Sequence, residues 1–309
     1  MSLSEFNRFF KKQSLAATYK PTLLKCLLDL GDYNQDEGGK WIETKDDSLV
    51  VDLNFVVARF LRYYYPLKFK FKLKQDPQPT KTIQIYEILE RFKDEIFMKS
   101  IPSKKQFCSN KFSTIREITI KSGAIKQQVL PKLLNDCNIY EIIENSKKIV
   151  IKKNIVNFMK ENKNLLESAL NNMISTYLEG CNASPNISTK LKETMPRITL
   201  KKPIFHEIIK LQDGQCFFCK KKFDEFAQEH FLPWNFIFRT ENFNITAACK
   251  TCNSSKNDRL PDGKYLEEII ERNKKLNDLP SGYSEESFRQ LYEICKIEYH
   301  GKEKELWMI

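Results

Sequence analysis

The sequence has 309 residues, of which 41% are hydrophobic and 29% are charged. These proportions are typical of a globular protein and exclude extended disorder, while the length predicts about two domains. No apolar run approaches the ~20 residues that cross a bilayer, and the N-terminus lacks the apolar core of a secretory signal, so we expect a cytoplasmic protein without membrane contact.

The charge balance points to a polyanionic partner. Lysine and arginine outnumber the acidic residues and give a formal net charge of +11. Nucleic acid is the first candidate for such a partner, although solvated surface lysines would produce the same excess. The nine cysteines are an odd number in a chain without a secretory signal, which favours metal ligation or buried thiols over disulfides.

The N-terminal region, residues 1–185, is predicted to be mainly helical and to recognise a substrate or a partner. Within it, residues 54–64 (NFVVARFLRYY) predict a buried helix that ends at Pro66. Residues 67–74 (LKFKFKLK) alternate apolar residues with lysines, and this period of two predicts a strand with one basic face. That face would either contact phosphate or protect a sheet edge.

A second pattern in this region is a set of helical segments followed by a hairpin. Residues 113–120 and 124–136 are predicted to be helical or partly helical, and two strands joined at Asn145-Ser146 are predicted to follow. This order suggests a winged-helix-like unit, which would place a helix in a DNA groove, although many structural α+β units share it. Residues 155–178 read as one long helix, and the polar stretch 181–188 as a domain boundary.

The segment from Cys216 to Pro261 carries the strongest chemical signal. It contains two CxxC pairs, Cys216/Cys219 and Cys249/Cys252, with 29 residues between them. Two such pairs predict a closed, tetrahedral four-cysteine zinc site with a structural role. Redox chemistry or four buried thiols are the alternatives.

The residues between and after the cysteines follow a recognisable order. Glu229-His230 begins the run E-H-F-L-P, Asn244 begins N-I-T-A-A-C, and Asn253 and Lys256 belong to C-K-T-C-N-S-S-K. In this order the segment resembles the zinc-knuckle type of the HNH (ββα-metal) endonuclease family. The resemblance is confined to a C-terminal module, residues 199–280, and residues 281–309 are predicted to form a helical tail. No family resemblance is evident in residues 1–185.

The resemblance implies an α+β protein with a small zinc-stapled ββα domain, and it implies roles for its residues. His230 would be the general base, because a histidine of near-neutral pKa suits the deprotonation of water. Glu229 and Asn253 would supply oxygen ligands to a catalytic Mg2+ or Mn2+. Asn244 would hold the loop between strand and helix, and the zinc site would pin the helix against the hairpin.

The sequence also predicts roles for other side chains of the module. His206 and His300 are expected to be structural, and Trp234 to fill the core or stack on a base. Positively charged side chains are expected to contact phosphate, although a solvated face would look the same. They are Lys256, Arg259, Lys220, Lys221 and Lys222.

The sequence therefore predicts a metal-dependent HNH endonuclease that hydrolyses nucleic-acid phosphodiester bonds, with DNA favoured over RNA. Stand-alone proteins of this type suggest a bacterial anti-phage or restriction effector. One rival is a zinc-knuckle module that binds nucleic acid without cutting it. Another is a partner-binding subunit whose enzyme is a separate chain, such as an ATPase or a reverse transcriptase. The oligomeric state is not predicted.

Overall fold

The chain forms two units, Met1–Cys181 and Asn182–Ile309, named here the N-terminal and C-terminal units. The predicted mixture of helices and sheet is confirmed, since helices dominate and the strands form two small antiparallel sheets. Within the described residues, no helix combines the length and apolar character needed to cross a membrane. The computed structural model describes residues 6, 9–10, 15, 17–78, 81–98, 100–192, 198–301 and 304–309.

The sheet of the N-terminal unit has four antiparallel strands in the order β1-β2-β4-β3. The predicted hairpin therefore exists, but its longer strand β4 also pairs along the whole of β2. The hairpin thus belongs to a larger sheet, and the winged-helix assignment stays a prediction. The strands are β1 (Ile42–Lys45), β2 (Ser48–Asp52), β3 (Glu141–Ile142) and β4 (Lys148–Lys152).

Helices pack on this sheet, and one of them, α2 (Leu53–Tyr65), carries several large side chains that are fully buried. Asp52 caps its N-terminus by accepting a hydrogen bond from the Asn54 N–H at 2.7 Å. Large side chains on several of its faces, among them Phe55, Phe60 and Tyr64, are inaccessible to solvent, which makes this helix the centre of the core. The helices are α1 (Tyr19–Leu28), α2 (Leu53–Tyr65), α3 (Gln84–Arg91), α4 (Lys93–Ile96), α5 (Lys104–Cys108), α6 (Ser113–Lys121), α7 (Leu130–Asp136), α8 (Lys153–Glu161) and α9 (Lys163–Glu179).

Two predictions for this unit are wrong. Residues 67–74 do not form a strand, because the chain continues from α2 into a π-helical turn, Pro66–Lys70, which buries Leu67 and Phe71 four residues apart. Pro66 therefore does not end the helical path. The single helix predicted over 155–178 is two helices, since α8 ends at Glu161 and α9 begins at Lys163.

The C-terminal unit is built on a two-stranded antiparallel sheet. Strands β5 (Ala227–His230) and β6 (Ile245–Ala248) pair with Glu229 opposite Thr246 and His230 opposite Ile245. Helix α13 (Lys250–Lys256) follows β6 directly and packs on β5. The elements are α10 (Ile187–Lys190), α11 (Lys202–Leu211), β5 (Ala227–His230), α12 (Trp234–Ile237), β6 (Ile245–Ala248), α13 (Lys250–Lys256), α14 (Lys264–Asn273) and α15 (Glu285–Ile294).

Residues 281–309 belong to the hydrophobic core of this unit. Helix α15 and the π-helical turn Cys295–His300 contribute buried aromatic side chains to the cluster that surrounds the cysteines. Near the end of the chain, Trp307 is 2% exposed and its ring lies 4.8 Å from that of Phe218, between centroids. The C-terminal segment thus stabilises the same core as residues 199–280.

Candidate functional site

The four cysteines of the CxxC pairs converge on one point. Their sulfur atoms all lie within 4.8 Å of one another, and the Cys219 and Cys249 sulfurs are 4.0 Å apart. A tetrahedral zinc ion with bonds of ~2.3 Å would hold its sulfur ligands roughly 3.8 Å apart. The cluster can therefore hold a metal ion such as zinc.

Local backbone structure brings the two pairs together. The first pair lies in a tight turn in which Gln215 bridges Lys222 and the Lys220 N–H donates to the Cys216 carbonyl. Cys249 is the N-cap of α13, and its sulfur accepts from the Cys252 N–H at 3.5 Å. A metal ion bound by the four cysteines would consequently join the first turn to the start of α13.

The thiols of this cluster have unequal proton affinities. Burial raises the pKa of Cys216, but N–H groups of Cys219, Cys249 and Phe218 donate to its sulfur and together lower the pKa below the usual value. Burial raises the pKa of Cys252 well above that value. A metal would therefore release protons as it bound, since thiolates are the ligands.

Strand β5 and helix α13 place three of the predicted catalytic residues on one pocket. Glu229 and His230 end β5, and Asn253 lies in the middle of α13. All three line a pocket of about 310 Å³. Glu229 and His230 are only 4% and 3% exposed, whereas Asn253 is half-buried.

A chain of polar contacts links the His230 ring to the Ile198 carbonyl through Thr240. The Thr240 hydroxyl donates to the Ile198 carbonyl at 2.7 Å, so its oxygen acts as the acceptor toward His230 Nε2, which lies 3.3 Å away. With Thr240 as the acceptor, the neutral imidazole would carry its proton on Nε2.

Lys256 occupies a different place from the predicted one. Its side chain is fully buried, and its ammonium donates to Glu229 Oε1 and to the His230 carbonyl, each at 2.7 Å. The predicted phosphate contact of Lys256 is therefore wrong, because the ammonium faces the interior. Lys256 instead joins α13 to the acid–histidine pair on β5.

The other predicted basic contacts lie on the surface. Lys221, Lys222 and Arg259 are exposed, and Lys220 forms an ion pair with Glu268. The Arg259 guanidinium donates to the Ser255 carbonyl at 2.5 Å. None of these four side chains lines the pocket among the described residues.

Asn244 is fully buried beside the turn that follows β5. Its amide oxygen accepts from the Leu232 N–H at 2.8 Å, and its amide nitrogen donates to the Leu232 carbonyl at 3.1 Å. This pair of bonds fixes the backbone immediately after His230.

Asp258 is a pocket residue that the sequence analysis missed. It lines the same pocket, and its Oδ2 accepts from the Asn235 amide at 2.9 Å and from the Tyr299 hydroxyl. Burial, then the Asp258 charge, raises the pKa of Tyr299 well above its usual value. Asp258 lies only five residues after Asn253 in the sequence, and this proximity could have suggested it as a pocket residue. Nothing in the sequence indicates its hydrogen bond with Tyr299.

Of the other side chains considered in the sequence, Trp234 lines the pocket, whereas His206 and His300 do not. His206 is exposed, and His300 Nε2 lies 3.0 Å from the Glu305 carbonyl. Trp234 is half-buried, lines the pocket and packs on Phe238 with ring centroids 4.1 Å apart.

Comparison with known proteins concerns the N-terminal unit. Residues 2–138 match a family model described as a domain of unknown function, DUF8808. The match ends before the segment that carries the cysteines and the pocket. Neither the curated proteins nor the solved structures contain a match to this chain.

Proposed function

We propose that the C-terminal unit is a metal-dependent HNH-type endonuclease that hydrolyses phosphodiester bonds of nucleic acid. The observation that supports this most strongly is the convergence of Glu229, His230 and Asn253 on one pocket. They lie on a strand–strand–helix arrangement that a metal ion in the four-cysteine cluster would tie together. Zinc would occupy that cluster as a structural ion.

In this mechanism His230 takes a proton from the attacking water at Nδ1, because the Thr240 contact holds the other ring proton on Nε2. Oxygen atoms of Glu229 and Asn253 would hold Mg2+ or Mn2+. Such a cation supplies charge stabilisation for the phosphate and the leaving oxygen. Asn244 keeps His230 in place through the backbone of the following turn.

The Glu229–Lys256 pair favours a second candidate, a zinc-knuckle module that binds nucleic acid or a partner without cutting. The Lys256 ammonium, 2.7 Å from Glu229 Oε1, offsets the negative charge of the carboxylate that would bind Mg2+ or Mn2+. Glu229 and His230 are also almost fully buried. In this alternative the pair stabilises the fold, and the loss of His230 leaves binding intact.

The broader assignment follows from the nuclease proposal. DNA is favoured over RNA as the substrate, with a bacterial, cytoplasmic anti-phage or restriction effector as the setting. If the N-terminal unit contains a winged-helix-like unit, α6 or α7 would be the helix that lies in a DNA groove. A partner such as an ATPase or a reverse transcriptase would co-purify with the chain if it served as a subunit.

The test compares two neighbouring positions on α13 that line the same pocket. Supercoiled plasmid and single-stranded RNA are incubated with Mg2+, Mn2+ or EDTA and with wild type, Asn253→Ala or Ser254→Ala. We expect Mg2+-dependent cutting by wild type and Ser254→Ala and a loss of at least about a hundredfold in Asn253→Ala. Equal cutting by the two variants, or cutting in EDTA, would contradict the proposal.

A further inference from the structure

The pocket of the proposed active site contains a second carboxylate beside that of Glu229, which belongs to Asp258. Glu229 contributes little net charge to this pocket, because the Lys256 ammonium lies 2.7 Å from its Oε1. Among the described residues that line the pocket, none is a lysine or an arginine. Asp258 is therefore the main source of net negative charge in the pocket.

Two neutral groups hold the Asp258 carboxylate in place. The side-chain amide of Asn235 donates to Oδ2 at 2.9 Å, and the Tyr299 hydroxyl donates to the same oxygen. These hydrogen bonds orient the carboxylate without neutralising it, since neither donor carries a positive charge. Both bonds are made to Oδ2, and Asp258 is half-buried rather than enclosed. Oδ1 thus remains as the oxygen that can bind a cation.

The backbone turns sharply between α13 and Asp258. Asn257 has a φ of 49° and a ψ of −126°, which lies outside the left-handed helical region that asparagine tolerates. If α13 continued, Asn253 and Asp258 would lie about 140° apart around the helix. Because the helix ends at this strained residue, both side chains line one pocket. Strain of this kind concentrates at functional sites.

Residues near the end of the chain hold the stretch that follows α13. Tyr299 lies in the π-helical turn that follows α15. The Trp307 N–H donates to the Leu260 carbonyl at 2.9 Å, and the Trp307 indole N–H donates to Ser255 Oγ at 3.2 Å. The C-terminal segment therefore fixes the backbone on both sides of Asp258 as well as its carboxylate.

The donor atoms of this pocket suit a hard divalent cation. Mg2+ and Mn2+ take oxygen ligands, and Mg2+ is commonly held by one or two carboxylates while it keeps several waters. The Asp258 carboxylate and the Asn253 amide oxygen are such ligands, and they border a pocket of about 310 Å³. A charged ligand in addition to the Glu229–Lys256 pair would raise the affinity of the pocket for a cation.

We propose that Asp258 is a ligand of the divalent cation in this pocket, together with Asn253, and that Tyr299 positions its carboxylate. Asp258 would supply the negative charge that the Glu229–Lys256 pair does not. This inference rests on the proposed nuclease function and deepens it, because it assigns a metal ligand that the family resemblance did not provide. It also gives the C-terminal segment a role in the active site.

The test measures metal binding in the absence of nucleic acid. Zinc-loaded, full-length protein is titrated with Mn2+, and the free ion is quantified by its electron paramagnetic resonance signal. Asp258→Asn keeps the side-chain volume and should weaken Mn2+ binding at least about tenfold, because a charged ligand is lost. Tyr299→Phe keeps the ring and should weaken it by about threefold to tenfold, because the carboxylate loses a donor. The Mg2+ concentration for half-maximal cutting should rise in both variants.

The control removes a carboxylate from an exposed position of the same unit, with Asp224→Asn. Asp224 does not line the pocket, and we expect this variant to bind Mn2+ within about twofold of wild type, because exposed charges are screened by salt. Thermal unfolding shows whether each variant is folded. If Asp258→Asn fails to fold, the Mn2+ affinity of Tyr299→Phe decides the question.

A purely structural role for Asp258 would lower stability and leave the Mn2+ affinity unchanged, and that result would overturn the inference. Equal losses of affinity in Asp258→Asn and Asp224→Asn would overturn it too, because the effect would then come from net charge. In both cases, metal binding that Asn253→Ala abolishes would leave the proposed function standing. If wild type neither bound Mn2+ nor cut nucleic acid, the proposed function would fail, and this inference with it.

Discussion

Each unit of this protein buries a carboxylate against cations, and the two surroundings differ. Asp29 in the N-terminal unit is 2% exposed and lies 3.3 to 3.5 Å from the side-chain nitrogens of Arg59, Lys104 and Lys163. The Tyr63 hydroxyl donates to it as well, at 3.2 Å. With this many cations around it, the Asp29 carboxylate is enclosed and its charge is more than balanced.

Glu229 in the C-terminal unit has the Lys256 ammonium at 2.7 Å and lines a pocket beside His230. A carboxylate enclosed by several cations is a feature of a stable fold, because desolvated charges require compensation. A carboxylate that meets a buried cation and also borders a pocket can serve both stability and chemistry. Burial alone therefore does not separate the two roles, whereas access to a cavity does.

The largest expected effect is a difference in metal dependence, because only the C-terminal unit should need a metal ion to stay folded. Removal of the metal with a chelator, or the substitution Cys252→Ser, should unfold the C-terminal unit, because structural zinc contributes an apparent ~10 kcal/mol or more. The N-terminal unit, which has its own aromatic core, should keep its thermal transition. Calorimetry with metal analysis checks this. If chelator-treated protein contained no metal and still gave the same calorimetric trace as untreated protein, the structural role of the metal would be contradicted.

The next prediction concerns the two carboxylates directly. Lys256→Met leaves Glu229 buried without that ammonium and should lower the free energy of unfolding by about 3–5 kcal/mol. Lys104→Met, beside Asp29, should cost about 1 kcal/mol or less because Arg59 and Lys163 remain. Denaturant unfolding curves of the two variants measure the difference.

A double variant then separates stability from chemistry. Glu229→Gln in the Lys256→Met chain removes the buried carboxylate charge that the ammonium no longer offsets, and should recover most of the lost stability. Nuclease activity should stay lost, because the carboxylate is absent. Full activity in the double variant would assign the pair to folding alone and favour the non-catalytic candidate.

The smallest effect, taken per unit of pH, is a pH dependence that belongs to the C-terminal unit. Lys190 is 4% exposed, and burial lowers its pKa to about 7; its ammonium donates to Ser184 Oγ and the Phe236 carbonyl. Between pH 7 and the usual lysine pKa the unfolded chain holds the extra proton. Stability should therefore rise with pH in this window, by up to about 1.4 kcal/mol per unit, and stay level below it. Lys190→Met should flatten the slope in unfolding measured against pH.

The parts of this molecule that could be predicted from sequence are those fixed by local spacing. The CxxC pairs place two thiols on one turn, so the four-cysteine cluster was accessible without a structure. Residues Glu229, His230 and Asn253 were found through a resemblance. The pocket that these three residues share could not be predicted from the sequence, because it depends on how β5 and α13 pack.

The contacts that escaped prediction join residues far apart in the chain. Lys256 meets Glu229 across 27 positions, and Tyr299 meets Asp258 across 41. A lysine near the end of a polar helix is usually exposed, and no periodicity shows that a distant acid will bury it. The strand predicted for the lysine-rich segment after Pro66 was wrong for a related reason. The spacing of its apolar residues is compatible with a helical turn as well as with a strand.

The most direct test of the central claim is the cleavage rate of His230→Ala in Mg2+, measured beside wild type and His206→Ala, with the metal content of all three proteins matched. His206 is exposed, so its loss controls for the removal of an imidazole. The account predicts that His230→Ala loses at least about a hundredfold in rate while His206→Ala cuts like wild type. Undiminished cutting by a folded, metal-loaded His230→Ala protein would contradict it.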